Sequence, residues 1–444
     1  MIGVMRYPDL TLLQGTAMPP IPDHPLRYDL ANELHARPFP TLGVNSQAIL
    51  LAIKRPQEGP STDKDADRLH LLDLLDRHGA PHPQPEATHF SGKIGRHHLK
   101  WERHTEFVTY TIFADGLGER AFDPAIWEVF PQDWLAAAPG ARITSAQIHI
   151  AERTAPDAKI EKHLKGWFVA ESLAASTVLD NSAIIASDFR IDMGGHMRFA
   201  IFAGPDTGPA RIGRILQRLC EIETYKAMAM LGLPRARALN TRMAAIDDGL
   251  ADLLDEMARG QGAAEAALEQ LLTLATELET LMSRAAFRFG ATGAYNAIVN
   301  SRVAVLREGR FLGAQTFGEF MMRRFDPAVR TVKSTEHQLR SLTDRAGRAG
   351  DLLRTKVEVD RAAQNQDLLA RMDKRAALQL RLQETVEGLS VVAISYYAVN
   401  LLSYLLAPVA YRVGVEKPLL TALLVLPVIG GVWFLTRRIR KSLS

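Results

Sequence analysis

Cysteine is nearly absent from this chain: Cys220 is the sole one among 444 residues. No intramolecular disulfide and no zinc site built on cysteine alone can form, and nothing points to an oxidising compartment. Also missing are a GxxxxGK(S/T) phosphate loop, a GxGxxG turn, a GxSxG nucleophile elbow and an HExxH helix. P-loop hydrolases, Rossmann dehydrogenases, lipases and zincins therefore lose their usual sequence support. Aromatic residues make up only 7% of the chain and form no stacking platform, and the basic residues of 302–381 are interleaved with acids. No specific nucleic-acid binding is predicted, and Arg323 and Arg324 read as part of a solvated helical face or an ion-pair network.

Charge is the most informative absence. Residues 389–411 run for 23 positions without a charged side chain, and 418–436 for 19. At the helical rise these cover about 35 Å and about 28 Å, enough to cross a bilayer core. Six residues, 412–417, separate them, so the chain turns back as a hairpin of two transmembrane helices; a buried soluble hairpin is the alternative. Basic flanks set the orientation. Arg437, Arg438, Arg440 and Lys441 form the tail 437–444, and Arg371, Lys374, Arg375 and Arg381 precede the first span. By the positive-inside rule both termini and the soluble part are cytoplasmic, and 412–417 is a periplasmic loop of a bacterial inner-membrane protein. The first residues lack a secretory h-region.

On a helical wheel, the first span gathers Tyr396, Tyr397, Asn400, Ser403 and Tyr404 on one side, which is expected to pack against protein. Val391, Ile394, Leu401, Leu402, Leu405 and Val409 are assigned to lipid. Asn400 near the midplane requires a hydrogen-bonding partner helix or water. In the second span Pro427 predicts a kink, and Trp433 an interfacial anchor.

Proline is absent from Ala328 to Ala407, which predicts one long helix running into the membrane as a stalk. Leu339, Leu342, Ala346, Ala349 and Leu353 alternate at spacings of three and four, and Leu369, Met372, Ala376 and Leu380 resume the stripe. Apolar periodicity at Ile212, Ile215, Leu216, Leu219 and Ile222, and again over 246–285, predicts a helical bundle and stalk over 206–388, with Cys220 beside its core. Residues 25–205 read as a cytoplasmic α+β domain behind a flexible tail, 1–24. Strands are expected at 48–54, 97–104, 107–113, 144–151, 167–172, 183–190 and 197–203, mostly antiparallel, and helices at 25–35 and 64–78. Thr105 and Glu106 leave a hairpin-length gap although neither is an ideal turn former.

Nine of thirteen histidines lie in the first 104 residues. On a strand, His98, Glu102 and His104 share a face and could converge on a divalent transition metal, opposed by Lys100 between them. His35, with Glu33 and Arg37 beside it, reads as a helix-end hydrogen-bonding residue.

The phrases HPLRYDLANELHARPFP, LKWERHTEFVTYT, EIETYKAMAMLGLP and RLQETVEGLSVVAISYY resemble an uncharacterised bacterial family of membrane-anchored proteins, a domain of unknown function. The resemblance covers nearly the whole chain and implies a location but no catalytic residues. The architecture also looks like that of CorA-type cation channels, although Tyr411 to Gly414 stand where their Gly-Met-Asn signature belongs. The combined reading is a noncatalytic protein of the bilayer that binds or scaffolds through self-association, as a homo-oligomer with no cofactor or protein partner named. An ion channel and a membrane-tethered metalloenzyme are the alternatives.

Overall fold

The computed structural model describes residues 21–443 apart from 22, 29, 32–38, 57–63, 155, 260–262 and 415. Of the predicted helix at 25–35, residues 27, 28, 30 and 31 are helical, while His35 lies outside the described residues. A nine-stranded sheet organises the first half, built from β1 (Ser46–Lys54), β2 (His89–Ile94), β3 (His97–Arg103), β4 (Phe107–Asp115), β5 (Ala141–Glu152), β6 (Ala174–Val178), β7 (Ala183–Ser187), β8 (Met197–Ala203) and the short β9 (Gly309–Arg310). The order across the sheet is β2-β3-β4-β1-β5-β8-β7-β6-β9. Every pairing is antiparallel except β5 with β8, so the sheet is mixed.

Both faces of the central strands are covered, which explains their continuous apolar runs. In β1 the pleat sends Ala48 and Leu50 to one core with Ile212, Leu216 and Val299. Ile49, Leu51 and Ile53 point to the other, with Leu71, Leu74 and Leu75 of α1 (Lys64–Arg77) and Trp134 of the short α2 (Gln132–Ala136). Leu50 is almost completely buried, and truncating such a side chain costs about 2–5 kcal/mol.

One predicted strand is replaced. The apolar run at 167–172 is the end of α3 (Asp157–Trp167) followed by a single 3₁₀ turn, Ala170–Ser172. Ile160, Leu164 and Phe168 recur every four residues and fill a third core with Phe202, so the helical period wins over the local β tendency. The strand begins only at Ala174. The expected strand at 183–190 stops at Ser187 because buried Asp188 turns the chain, accepting the backbone N–H groups of Val169 at 3.0 Å and Arg190 at 3.2 Å.

The helices that follow are α4 (Pro209–Met230), α5 (Gly232–Ala258), α6 (Ala264–Leu306), the short α7 (Phe317–Phe320), a π turn at Met321–Phe325 and the 88-residue α8 (Asp326–Val413). Helix α4 shares its core with the sheet. The described residues up to 253 together with 272–347 accordingly form one compact unit, and those of 254–271 with 348–443 a second. Compactness does not divide the chain at 205/206. The stripe Leu339, Leu342, Ala346, Ala349 and Leu353 is buried throughout. In the second unit Lys356 reaches the Met257 carbonyl at 3.4 Å, and Arg361 donates to Glu265 at 2.8 Å.

From 358 to 390 every residue of α8 is exposed. The helix then continues through the uncharged segment, past Pro408, and ends at Gly414, whose φ of 78° is the left-handed conformation that stops helices. Helix α9 (Lys417–Leu443) returns, staying helical across Pro427.

Candidate functional site

A cavity of about 240 Å³ lies between the sheet and α4 in the first unit. Its floor is Leu50, Lys100, Glu102, Thr109, Thr111 and Phe113, carried by β1, β3 and β4. Leu216, Gln217, Cys220, Glu221, Thr224 and Tyr225 of α4 form the other wall, with Arg302 of α6 at the edge. The α4 positions fall at i, i+1, i+4, i+5, i+8 and i+9, one helical face; the strand residues share a pleat face. Sequence alone could align each set but could not bring them together.

Charges within the cavity are paired. Lys100, almost fully buried, lies 3.2 Å from Glu102 and donates to Gln217 at 3.3 Å. Gln217 in turn donates to Glu221 at 2.9 Å, and Glu221 pairs with Arg302. Cys220 is buried, and that burial pushes its thiol up to about 12, so it is a protonated, unreactive wall group at neutral pH.

A second ionic knot ties the turn between β3 and β4 to α6. Glu106, the poor turn former of the hairpin, is buried against the equally buried Arg288, which donates to both carboxylate oxygens. Tyr295 donates to Glu106 Oε1 at 2.7 Å, and Lys54 stands 3.8 Å away. Burial first, then the Glu106 hydrogen bond, raises the Tyr295 phenol. Sequence reading overlooked this knot. Its one signal was Arg288, the only charge between Ala285 and Ser301.

The histidines separate into structural roles. His98 and Glu102 do share a face of β3 and His104 follows just beyond its end, yet each is engaged elsewhere. Ser91 hydrogen-bonds His98 at 2.8 Å, Glu102 pairs with Lys100, and His104 stacks on Phe107 at 4.3 Å. Partial burial, then Lys93, lowers the His98 imidazole. Among the described residues no three His, Cys, Asp or Glu side chains gather in a metal-holding cluster. His70 stacks on Trp134 at 3.9 Å and contacts the Trp134 carbonyl through Nε2 at 3.1 Å and the Tyr110 hydroxyl through Nδ1 at 2.9 Å. A carbonyl only accepts, so Nε2 carries the proton and Nδ1 accepts from Tyr110.

In the hairpin of α8 and α9, the buried positions among the described residues are Ser395, Val399, Ser403 and Ala410, spaced along one face of α8, and Val428 of α9. Ser403 donates to Thr421 at 3.4 Å, and Asn400 is half-buried beside a cavity of about 320 Å³ shared with Ser395 and Thr421. Tyr396, Tyr397 and Tyr404 stay exposed in the single chain, so the intrachain seam takes Ser403 and part of Asn400 from the expected polar side and leaves the tyrosines outward. Tyr404 carries Lys417 over its ring at 5.0 Å, and Trp433 carries Arg437 at the same distance. Arg437 and Arg438 are exposed, as are Arg323 and Arg324; the side chains of Arg440 and Lys441 lie outside the described residues.

The fold is thus that of an α+β protein, with a mixed sheet followed by helices and two terminal helices long and apolar enough to cross a membrane. No curated protein and no solved structure matches the chain. The chain belongs to the family described as "Protein of unknown function (DUF3422)", which it matches over residues 22–443.

Proposed function

We propose that this is a membrane-anchored scaffold: the α8–α9 hairpin crosses the cytoplasmic membrane, both termini and the sheet domain face the cytoplasm, and the stalk assembles copies of the chain. The observation that carries the reading is the uninterrupted exposure of 358–390, where every side chain stays exposed, Arg361 on Glu265 included, before the helix becomes uncharged. Such a stretch is about 50 Å long. From 368 on, its large apolar residues, Leu368, Leu369, Met372, Leu378, Leu380, Leu382, Val386 and Leu389, are exposed and span an arc of about 200° on the wheel. Asp367, Asp373, Lys374, Arg381 and Glu384 occupy the remainder; Arg371, Arg375 and Glu387 interrupt the apolar side. That arc is wider than the narrow seam of a two-stranded coil, so it fits packing against two neighbours, as in a bundle of three or more copies. With on the order of 100 Å² per side chain, eight such residues approach the roughly 800 Å² per partner of a stable interface.

Membrane fractionation with a carbonate wash, combined with reporter fusions at each end, tests the anchor. Retention in the membrane pellet with both reporters cytoplasmic is expected. A soluble product, or reporters on opposite sides, contradicts it.

A second reading, an oligomeric ion pathway, draws on Asn400, half-buried beside the cavity of the hairpin. Ion flux in liposomes reconstituted with the full chain tests it, and silence toward Mg²⁺, Ni²⁺, Zn²⁺ and K⁺ beside an active control channel removes it.

A further inference from the structure

Four guanidiniums gather where α4 meets the end of α6. Arg214 and Arg218 stand one turn apart on α4, Arg302 lies in the last turns of α6, and Arg307 follows its last residue. Burial first, then the charges of Arg214, Arg302 and Arg307, pulls the Arg218 guanidinium below its ordinary value, with Glu221 opposing. Two carboxylates answer these four cations. Glu221 pairs with Arg302, and Asp180 with Arg307 at 2.7 Å. Among the described residues Arg214 and Arg218 have no carboxylate partner, and Nη1 of Arg218 is buried without any hydrogen bond.

An uncompensated cation held in a partly dry seam costs stability, and such a cost persists where a ligand supplies the missing charge. The arginines are also placed for one. Arg214, Arg218, Glu221 and Tyr225 fall at i, i+4, i+7 and i+11 on one side of α4, and the last two, with Arg302, line the cavity. The cationic row therefore runs into the cavity edge. Beyond that edge the walls carry hydroxyls, Thr109, Thr111 and Thr224, beside the Gln217 amide.

We propose that this seam binds the dianionic group of a small phosphate monoester, held by the forks of Arg214 and Arg218, with a short polyol body in the adjoining cavity. Two unpaired guanidiniums match one dianion, and planar forks suit phosphate oxygens. A volume of about 240 Å³ suits a three-carbon body. The proposal stands apart from membrane anchoring and self-association, both of which can fail without touching it.

The test is thermal melting and calorimetry of the full-length chain in detergent, with glycerol 3-phosphate and inorganic phosphate as probes and glycerol as the neutral control. Wild type is expected to bind glycerol 3-phosphate and to melt higher in its presence than in glycerol. Arg218→Met is expected to melt no lower than wild type without ligand, because a partly buried, unpaired cation has gone, and to lose about tenfold or more in affinity. Arg214→Gln, at a half-exposed position, provides a second variant free of core repacking, with the same loss of affinity expected. Phosphatidate carries the same headgroup chemistry. Displacement of glycerol 3-phosphate by phosphatidate vesicles, but not phosphatidylcholine vesicles, assigns the group to a lipid; its absence assigns it to a soluble metabolite. No binding of either phosphate probe to wild type, or binding undiminished in both variants, overturns the proposal.

Discussion

Arg288 and Glu106, 182 positions apart, meet as a two-pronged ion pair in which both residues are buried. The pair fastens the β3–β4 hairpin to α6. Removing Arg288 leaves the buried Glu106 charge with only the Tyr295 hydroxyl and the more distant Lys54, so Arg288→Met should destabilise the chain by about 3–5 kcal/mol, whereas adding Glu106→Leu should restore much of the loss. Urea unfolding of the two single variants and the double variant measures this. Additive losses would mean that the two side chains are not coupled.

Protonation of the buried His149 and the half-buried His196 sets a second expectation. Burial first, then His163, depresses His149 to about 4; burial, then Arg142, does the same to His196, against a raising effect of Asp192. Their folded values lie below the unfolded one near 6.5, so the unfolded chain takes up protons first as pH falls. Stability is then fully present above pH 6.5 and is lost between 6.5 and 4, at a slope of up to about 1.4 kcal/mol per pH unit for the buried His149. His149→Phe should flatten that slope in a pH series of melts, and an unchanged slope would exclude His149 as its source.

Gly213 marks a close approach that no side chain could share. A β-carbon built there would stand 1.6 Å from the Pro40 carbonyl oxygen, inside any van der Waals contact. Gly213→Ala should lower the melting temperature by several degrees, whereas the same change at Gly166, where nothing lies within 4 Å, should not. Equal melting of the two variants would show that the Pro40 segment moves aside freely.

Cys220 should resist modification. Its burial and elevated value keep it a thiol, so a disulfide reagent is expected to label the native chain slowly and the urea-unfolded chain at once. Rapid labelling of native protein would mean that the cavity opens widely.

These outcomes also locate where sequence reading stops. The long helix and the apolar hairpin were legible because each follows from one contiguous property, the absence of proline or of charge. Strand pairing through β3 and β4 was legible from local alternation. The run at 167–172 misled because WFVAES reads locally as β while Ile160 and Leu164 upstream had already set a helical period. The Arg288–Glu106 pair was out of reach, since each partner looks ordinary until α6 is laid on the sheet. The cavity and the arginine seam share that property: α4 supplies half of each, and only tertiary packing brings the other half. The tyrosines of the first span, expected inward, are outward in one chain because Ser395, Val399 and Ser403 already occupy the contact with α9.

The claim on which most rests is that the exposed stalk of α8 is covered by other copies of the chain. Native mass spectrometry of the full-length protein released from detergent micelles measures this directly. The account predicts a single assembly of three or more protomers that dissociates when Leu369, Met372 and Leu380 are changed together to glutamine. A monomer, with the triple variant indistinguishable from it, would contradict the account.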